Sequence, residues 1–237
     1  MTQLAKHAKA VKHNCRHEKG HDMKSTAVHH SAAERGENPT NDETGTTGPR
    51  HVISRISGPA DIEAHLPSLR SLLQSCVNTD PSASSIGFLA PLSDADADRY
   101  WRSLGPILGA TCHLFILVLT GSGSGEEQCG DGDGEVAATA QLLTIPKATH
   151  AHRGEVAKLL VRPSGRRSGL GRAMMAHVET FARGSLGLRV LTLDTETETP
   201  ALAFYRRTGW AEWGTCPDYA AFADGRLGSA TFFVKSL

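Results

Sequence analysis

The chemistry-bearing residues cluster first in Arg162-Pro-Ser-Gly-Arg-Arg-Ser-Gly-Leu-Gly-Arg172 of this 237-residue chain. The segment joins the end of one apolar run to the start of another with helical spacing. A helix start presents unpaired N–H groups and the positive end of the helix dipole. Gly169 and Gly171 let the backbone approach an anion closely, and Arg166, Arg167 and Arg172 add charge-assisted contacts. That combination suits a pyrophosphate. Two known phosphate fingerprints are excluded. Met174 stands where the dinucleotide motif has its third glycine, and no Gly-Lys-Ser/Thr follows the loop. The plain alternative is a basic, glycine-containing turn with no ligand.

Three further side chains converge on the same region. Asp194 follows the apolar run Leu188 to Leu193, and ligands gather at the carboxyl ends of such strands. Tyr205 lies on the next short helix, and Glu155 opens the strand that leads into the glycine loop. Each has a structural alternative: a strand-end cap for Asp194, a core tyrosine, a solvated strand end for Glu155. The sequence His17-Glu18-Lys19-Gly20-His21 matches the zinc-protease pattern HExxH. Its surroundings are polar on all sides and offer no apolar stripe to dock a helix, so a chance match is expected and no metal is assigned. The acids between Gly121 and Gly134 lack the ligand spacing and closing glutamate of a calcium loop, so a solvated linker is expected there.

The elements that must position these groups follow from the apolar pattern. His51 to Ser57 is strand-like. Pro59 opens a helix with Ile62, Leu66, Leu69, Leu73 and Cys76 on one face. Ser93 and Asp96 resemble a capping box for a helix through Trp101 to Leu108. Strands are expected at Cys112 to Thr120, Val136 to Ile145, Glu155 to Arg162, Leu188 to Leu193, Trp210 to Thr215 and Thr231 to Val234. Helices are expected at Gly169 to Arg183 and after Thr199, with Pro200 at the first position and Gly209 past the end. Strand–helix–strand order over 155–209 implies a parallel pair joined by a crossover helix.

Composition sets the outer bounds. Residues 1–50 are polar, histidine-rich and without an apolar period, so they read as a disordered tail ahead of one domain at 51–237. Lys+Arg 25 balances Asp+Glu 25, which gives no global electrostatic case for nucleic acid or an anionic membrane. The apolar run Leu114 to Leu119 is too short to span a bilayer, and the first thirty residues lack the apolar core of a secretory signal. The five cysteines form no CxxC pair or disulfide framework, so a reducing compartment such as the cytoplasm is expected.

Arg166-x-x-Gly169-x-Gly171 resembles the acyl-CoA-binding signature of the GCN5-related N-acetyltransferase (GNAT) family. Ala201-Leu-Ala-Phe-Tyr205-Arg-Arg-Thr-Gly209-Trp210 resembles that family's last helix and its exit. A closer likeness, to its tabtoxin-resistance group, lies in His152 to Val161, Leu193-Asp-Thr-Glu196, Pro217-Asp-Tyr219 and Asp224-Gly-Arg-Leu227. The resemblance spans roughly residues 51–237. It implies an α/β (α+β) fold: a mixed, mostly antiparallel twisted sheet, splayed between two central parallel strands and flanked by about four helices. It implies acetyl-CoA in the splay. The amides of Leu160 and Val161 would hold the pantetheine and the thioester oxygen, the 166–172 loop (Arg166, Arg167, Ser168, Gly169, Leu170, Gly171 and Arg172) would hold the pyrophosphate, and Arg162 would also bind the cofactor. Asp194, Tyr205 and Glu155 would be catalytic. The implied partner is a small-molecule amine, with a homodimer left open. Many relatives carry asparagine seven residues before the helix tyrosine, where this chain has Glu198. The rival readings are acetylation of a protein lysine or N-terminus, and an acyl-CoA-binding module without catalysis.

Overall fold

Alternation along the strands decides which helices each face receives. The computed structural model describes residues 50–79, 87–120 and 134–237. The expectations for the N-terminal tail with its HExxH match, and for the loop over 121–133, lie outside the described residues.

The elements run β1 (His51–Ile56), α1 (Pro59–Asn78), α2 (Asp94–Ser103), β2 (Cys112–Leu119), β3 (Val136–Thr144), β4 (Arg153–Val161), α3 (Leu170–Gly184), β5 (Val190–Glu196), α4 (Pro200–Arg207), β6 (Ala211–Ala221) and β7 (Leu227–Ser236). The sheet order is β1-β2-β3-β4-β5-β7-β6. Every neighbouring pair is antiparallel except β4 with β5. The mixed, mostly antiparallel sheet with one central parallel pair and four α-helices is therefore present. Among the described residues, no helix is long and apolar enough to cross a membrane.

On β2, Leu114 and Ile116 pack with α1 and α2, while Phe115 and Leu117 pack with α3. One layer is built on Ile62, Leu66, Leu69, Leu73 and Trp101; the other on Met174, Val178, Leu191, Leu193, Trp210 and Phe233. Ser93 caps α2 as expected, accepting from the Asp96 N–H at 3.1 Å. Three boundaries differ from the sequence expectation. The helix from Ser93 stops at Ser103 and a 3-10 turn follows over Gly105–Ile107, because Pro106 has no amide to continue the α-helical ladder. β4 begins at Arg153, so Glu155 lies inside the strand. The last two strands extend into a long hairpin whose bulges at Glu212/Gly214 and Cys216/Ala220 break the alternation that would have marked it.

His113 on β2 is 3% exposed, and its Nδ1 has no hydrogen-bond partner among the described residues. Its ring lies 5.2 Å from that of Phe181. Burial, then the nearby Arg55 charge, holds its pKa below the ordinary histidine value. His177, 5.2 Å from Phe115, is lowered by burial too. The folded chain keeps these rings neutral, whereas the unfolded chain takes up protons as pH falls through about 6.5. Their stabilisation is thus complete above that value and is lost as pH drops toward the lower folded-state pKa. Denaturant titrations should show a falling unfolding free energy between pH 7.5 and 5, and a shallower fall in His113→Leu. Equal pH dependence in the two proteins would contradict this.

Candidate active site

The parallel pairing of β4 with β5 is short. Arg153 pairs with Val190, Gly154 with Leu191 and Glu155 with Thr192, and there it ends. Beyond that point β4 continues along β3 and β5 continues along β7, so the two strands part. The gap opens beside Val156–Val161 on one side and Leu193–Glu196 on the other. From Glu155 to Val161 it extends about 20 Å at the usual rise of a strand.

A bulge lies where the strands separate. The β3–β4 register shifts between Thr139 and Gln141, and Lys158 takes a positive φ of 50°. The extra residue reverses side-chain parity. Val156 packs on the α3 face, whereas Leu160 packs on the α1 face. Glu155 precedes the bulge and shares the α1–α2 face with Thr192, Asp194 and Glu196, because Leu191 and Leu193 face α3.

The main chain at the end of β4 divides its donors. The Arg162 N–H donates to the Ala137 carbonyl at 2.9 Å. By ladder alternation the Leu160 amide also faces β3, and the Val161 amide faces the gap. Of the two amides expected to meet a ligand, the structure leaves Val161's on the open side. The Val161 carbonyl accepts from Cys76 Sγ at 3.5 Å and from Arg166 Nε at 3.4 Å.

Arg162 follows β4 with its side chain already engaged. Its guanidinium pairs with Glu135 at 2.7 Å and reaches the Val136 carbonyl and Ser71 Oγ. These contacts join the end of β4 to α1 and to the start of β3, while its buried Nε has no hydrogen-bond partner among the described residues. After it, Pro163–Gly165 forms a 3-10 turn, Arg167 has φ 66° and Gly169 has φ 90° as the left-handed N-cap of α3. No side chain caps this helix. The first bond into it runs from Ala173 N–H to the Gly169 carbonyl, so the amides of Leu170, Gly171 and Arg172 precede the ladder. Arg166, Arg167, Ser168 and Arg172 are exposed around them, and Leu170 anchors the turn in the core. Ser168 Oγ folds back onto the Gly165 carbonyl at 2.7 Å. A Cβ on Gly171 would meet only Val161 and Phe204, at 3.5 Å and 3.6 Å. Uncapped amides, a left-handed turn and three exposed guanidinium groups make a cradle for an anion.

Tyr205 approaches from the other face. Its ring packs in the α3–α4 layer, 5.6 Å from Phe233 and 6.0 Å from Trp210. Burial, then the Asp194 charge, pushes its pKa far above the ordinary tyrosine value. The phenol therefore keeps its proton and acts as a hydrogen-bond donor. Asp194 is exposed, two residues past the last parallel pair. Glu196 lies farther along the same face, and burial followed by the Glu198 charge raises its carboxyl pKa.

The sequence reading missed the opposite wall. Lys158 at the bulge lies 5.6 Å from the centroid of Phe88. Phe232 is opposite Asp194 in the β5–β7 register and stacks edge-on with Tyr219 at 5.2 Å. Trp213 is 6.4 Å from Phe232 and exposed. No sequence signal marks Phe88, because it comes from the α1–α2 connection. Tyr219 opens the segment to Leu227 that the sequence offers as the wall of a small pocket.

The left-handed cap yields a direct test. Gly169→Ala should lower the unfolding free energy by about 1–2 kcal/mol in denaturant titration, since an L side chain is strained at that φ. An unchanged value would contradict the cap geometry.

Residues 124–210 match the model of the acetyltransferase (GNAT) family. Solved structures agree in fold. A GNAT-family acetyltransferase from Streptococcus pneumoniae aligns with TM-score 0.57 at 14% identity, covering 79% of this chain and 100% of its own. A protein assigned as a phosphinothricin N-acetyltransferase aligns with TM-score 0.55 at 19% identity, covering 79% and 99%. The ribosomal-protein-S18-alanine N-acetyltransferase from Escherichia coli aligns with TM-score 0.53 at 21% identity, covering 79% and 94%. The split β4–β5 pair and the uncapped turn into α3 are thus set in a GNAT fold, and residues 124–210 carry the sequence pattern of the GNAT acetyltransferase family.

Proposed function

We propose that this chain is an N-acetyltransferase that moves the acetyl group of acetyl-CoA to the primary amine of a small molecule. The observation that carries the reading is the uncapped, left-handed turn into α3 at the mouth of the β4–β5 gap. The residues fit the donor. The amides of Leu170, Gly171 and Arg172, with Arg166 and Arg167, suit its pyrophosphate. The open Val161 amide suits its pantetheine, and the gap is long enough for that arm to reach Glu155. The exposed Glu198, in place of the asparagine of many relatives, removes one side-chain amide contact from the set.

Acetyl transfer from a thioester needs a neutral amine, a stabilised oxyanion and a leaving thiolate. An α-amine with pKa about 8 is mostly protonated at pH 7. Asp194 and Glu155 share the acceptor face, and either can take its proton, directly or through water. A main-chain N–H on the gap side of β4 serves the oxyanion, a contribution of about 3 kcal/mol in comparable sites. The thiol of the leaving group has pKa about 8.5, well below the raised pKa of Tyr205. Tyr205 therefore donates a hydrogen bond to the departing sulfur and keeps its own proton. The proton taken from the amine is enough to balance the thiolate, so no enzyme nucleophile is required.

The small-molecule acceptor is supported by the aromatic and charged side chains Phe88, Lys158, Tyr219 and Phe232 near the carboxylates and by the likeness to the tabtoxin-resistance group, whose substrate is a toxin related to amino acids. Detoxification is the corresponding role. Acetyl-CoA with a panel of amines should release coenzyme A thiol. No release with any amine, in protein that binds acetyl-CoA, would leave the acyl-CoA-binding module as the reading. Turnover confined to peptides would favour a protein acceptor. Tyr205→Phe should lower kcat about tenfold or more while acetyl-CoA binding changes less than about twofold. Equal kcat in the two proteins would remove Tyr205 from the mechanism.

A further inference from the structure

The bulge in β4 puts a positive charge among the carboxylates of the acceptor face. Lys158, held at φ 50°, directs its ammonium toward the α1–α2 connection, over Phe88. A methyl group on Gly87 would come within 3.3 Å of Nζ, so Gly87 lies close against the ammonium. The charges of Asp194 and Glu155 both act on this ammonium, and burial opposes its charge. The same two carboxylates act on Tyr219, which borders Phe232 beside Asp194. The acceptor face therefore carries two carboxylates and a cation that feels both, with Phe88 against the cation and Phe232 and Tyr219 beside Asp194.

A simple amine is poorly matched to that pattern. Its cation would meet Asp194 and Glu155 but would also lie beside a half-buried ammonium of like charge. A molecule with an amine and a carboxylate on the same carbon matches both signs at once. We propose that Lys158 determines acceptor specificity, binding the carboxylate of an α-amino acid whose amine lies against Asp194 and Glu155. Phe88, Phe232 and Tyr219 then receive the amino acid's side chain. The carboxylate also screens the Lys158 charge from the amine and eases the amine's approach to the acetyl donor. This inference rests on the acetyltransferase reading above.

The test compares free L-amino acids with their decarboxylated amines, in pairs such as phenylalanine with phenethylamine and leucine with isoamylamine, across the standard side chains. Wild-type protein should show kcat/KM about tenfold to hundredfold higher for the amino acid in each accepted pair, the range of a charge-assisted hydrogen bond. Lys158→Met should shrink that preference to less than about threefold, through a higher KM for the amino acid. Lys158→Arg should keep most of it. Equal kcat/KM within the wild-type pairs, or an unchanged preference in Lys158→Met, would overturn the role of Lys158 while leaving the acetyltransferase reading in place. The wild-type comparison stands even if a variant folds poorly. No turnover with any amine, in protein that binds acetyl-CoA, would overturn both.

Discussion

The arrangement depends on one break in hydrogen bonding. β4 and β5 pair for three residues and then separate, although both strands continue. Paired to the end, they would direct the Val161 amide into a strand partner and leave no cleft. The bulge at Lys158 belongs to the same event. It shifts the β3–β4 register, reverses which face Leu160 occupies and turns a lysine toward the acceptor side. The parting is held open from both sides. Arg162 ties the end of β4 to Glu135, Val136 and Ser71, and β7 takes up the full length of β5 from Val190 to Glu196.

Two different electrostatic environments meet at this break. At the α3 end the charges are positive and exposed, and the backbone adds the dipole end of a helix that no side chain caps. At the other end the carboxylates of Glu155, Asp194 and Glu196 share a face, and the Lys158 ammonium feels the charges of Asp194 and Glu155. A long donor with an anionic head and an acyl tail suits the first, and an amine suits the second. Tyr205 reaches the junction from the opposite layer, where Phe233 and Trp210 hold its ring and burial keeps its phenol protonated.

What the sequence revealed, and what it hid, follows from how local each signal is. The turn at Gly169 was legible because a helix start, a glycine and arginines within a few residues state their chemistry together. The parallel pair was legible from strand–helix–strand order, and Asp194 and Tyr205 from their place after an apolar run and on the next helix. The pairing of Arg162 with Glu135 was hidden because adjacency to the loop says nothing about a residue just ahead of the neighbouring strand. Lys158 was missed because a bulge is a register event: residues 157 to 160 read as ordinary strand until their pairing with Thr139 and Gln141 is known. Phe88 and Phe232 join the site only through the fold. The breadth of the β6–β7 hairpin was hidden by its own bulges.

The proposed function requires a diphosphate-bearing thiol cofactor to lie along the parted strand and end on the first turn of α3. Amide chemical-shift mapping with coenzyme A tests it at the level of single N–H groups. The largest shifts are expected at Val161 and at Leu170, Gly171 and Arg172, with little change at Leu160 and Arg162, whose amides face β3. Shifts centred elsewhere, or an α3 start left unmoved by saturating coenzyme A, would contradict it.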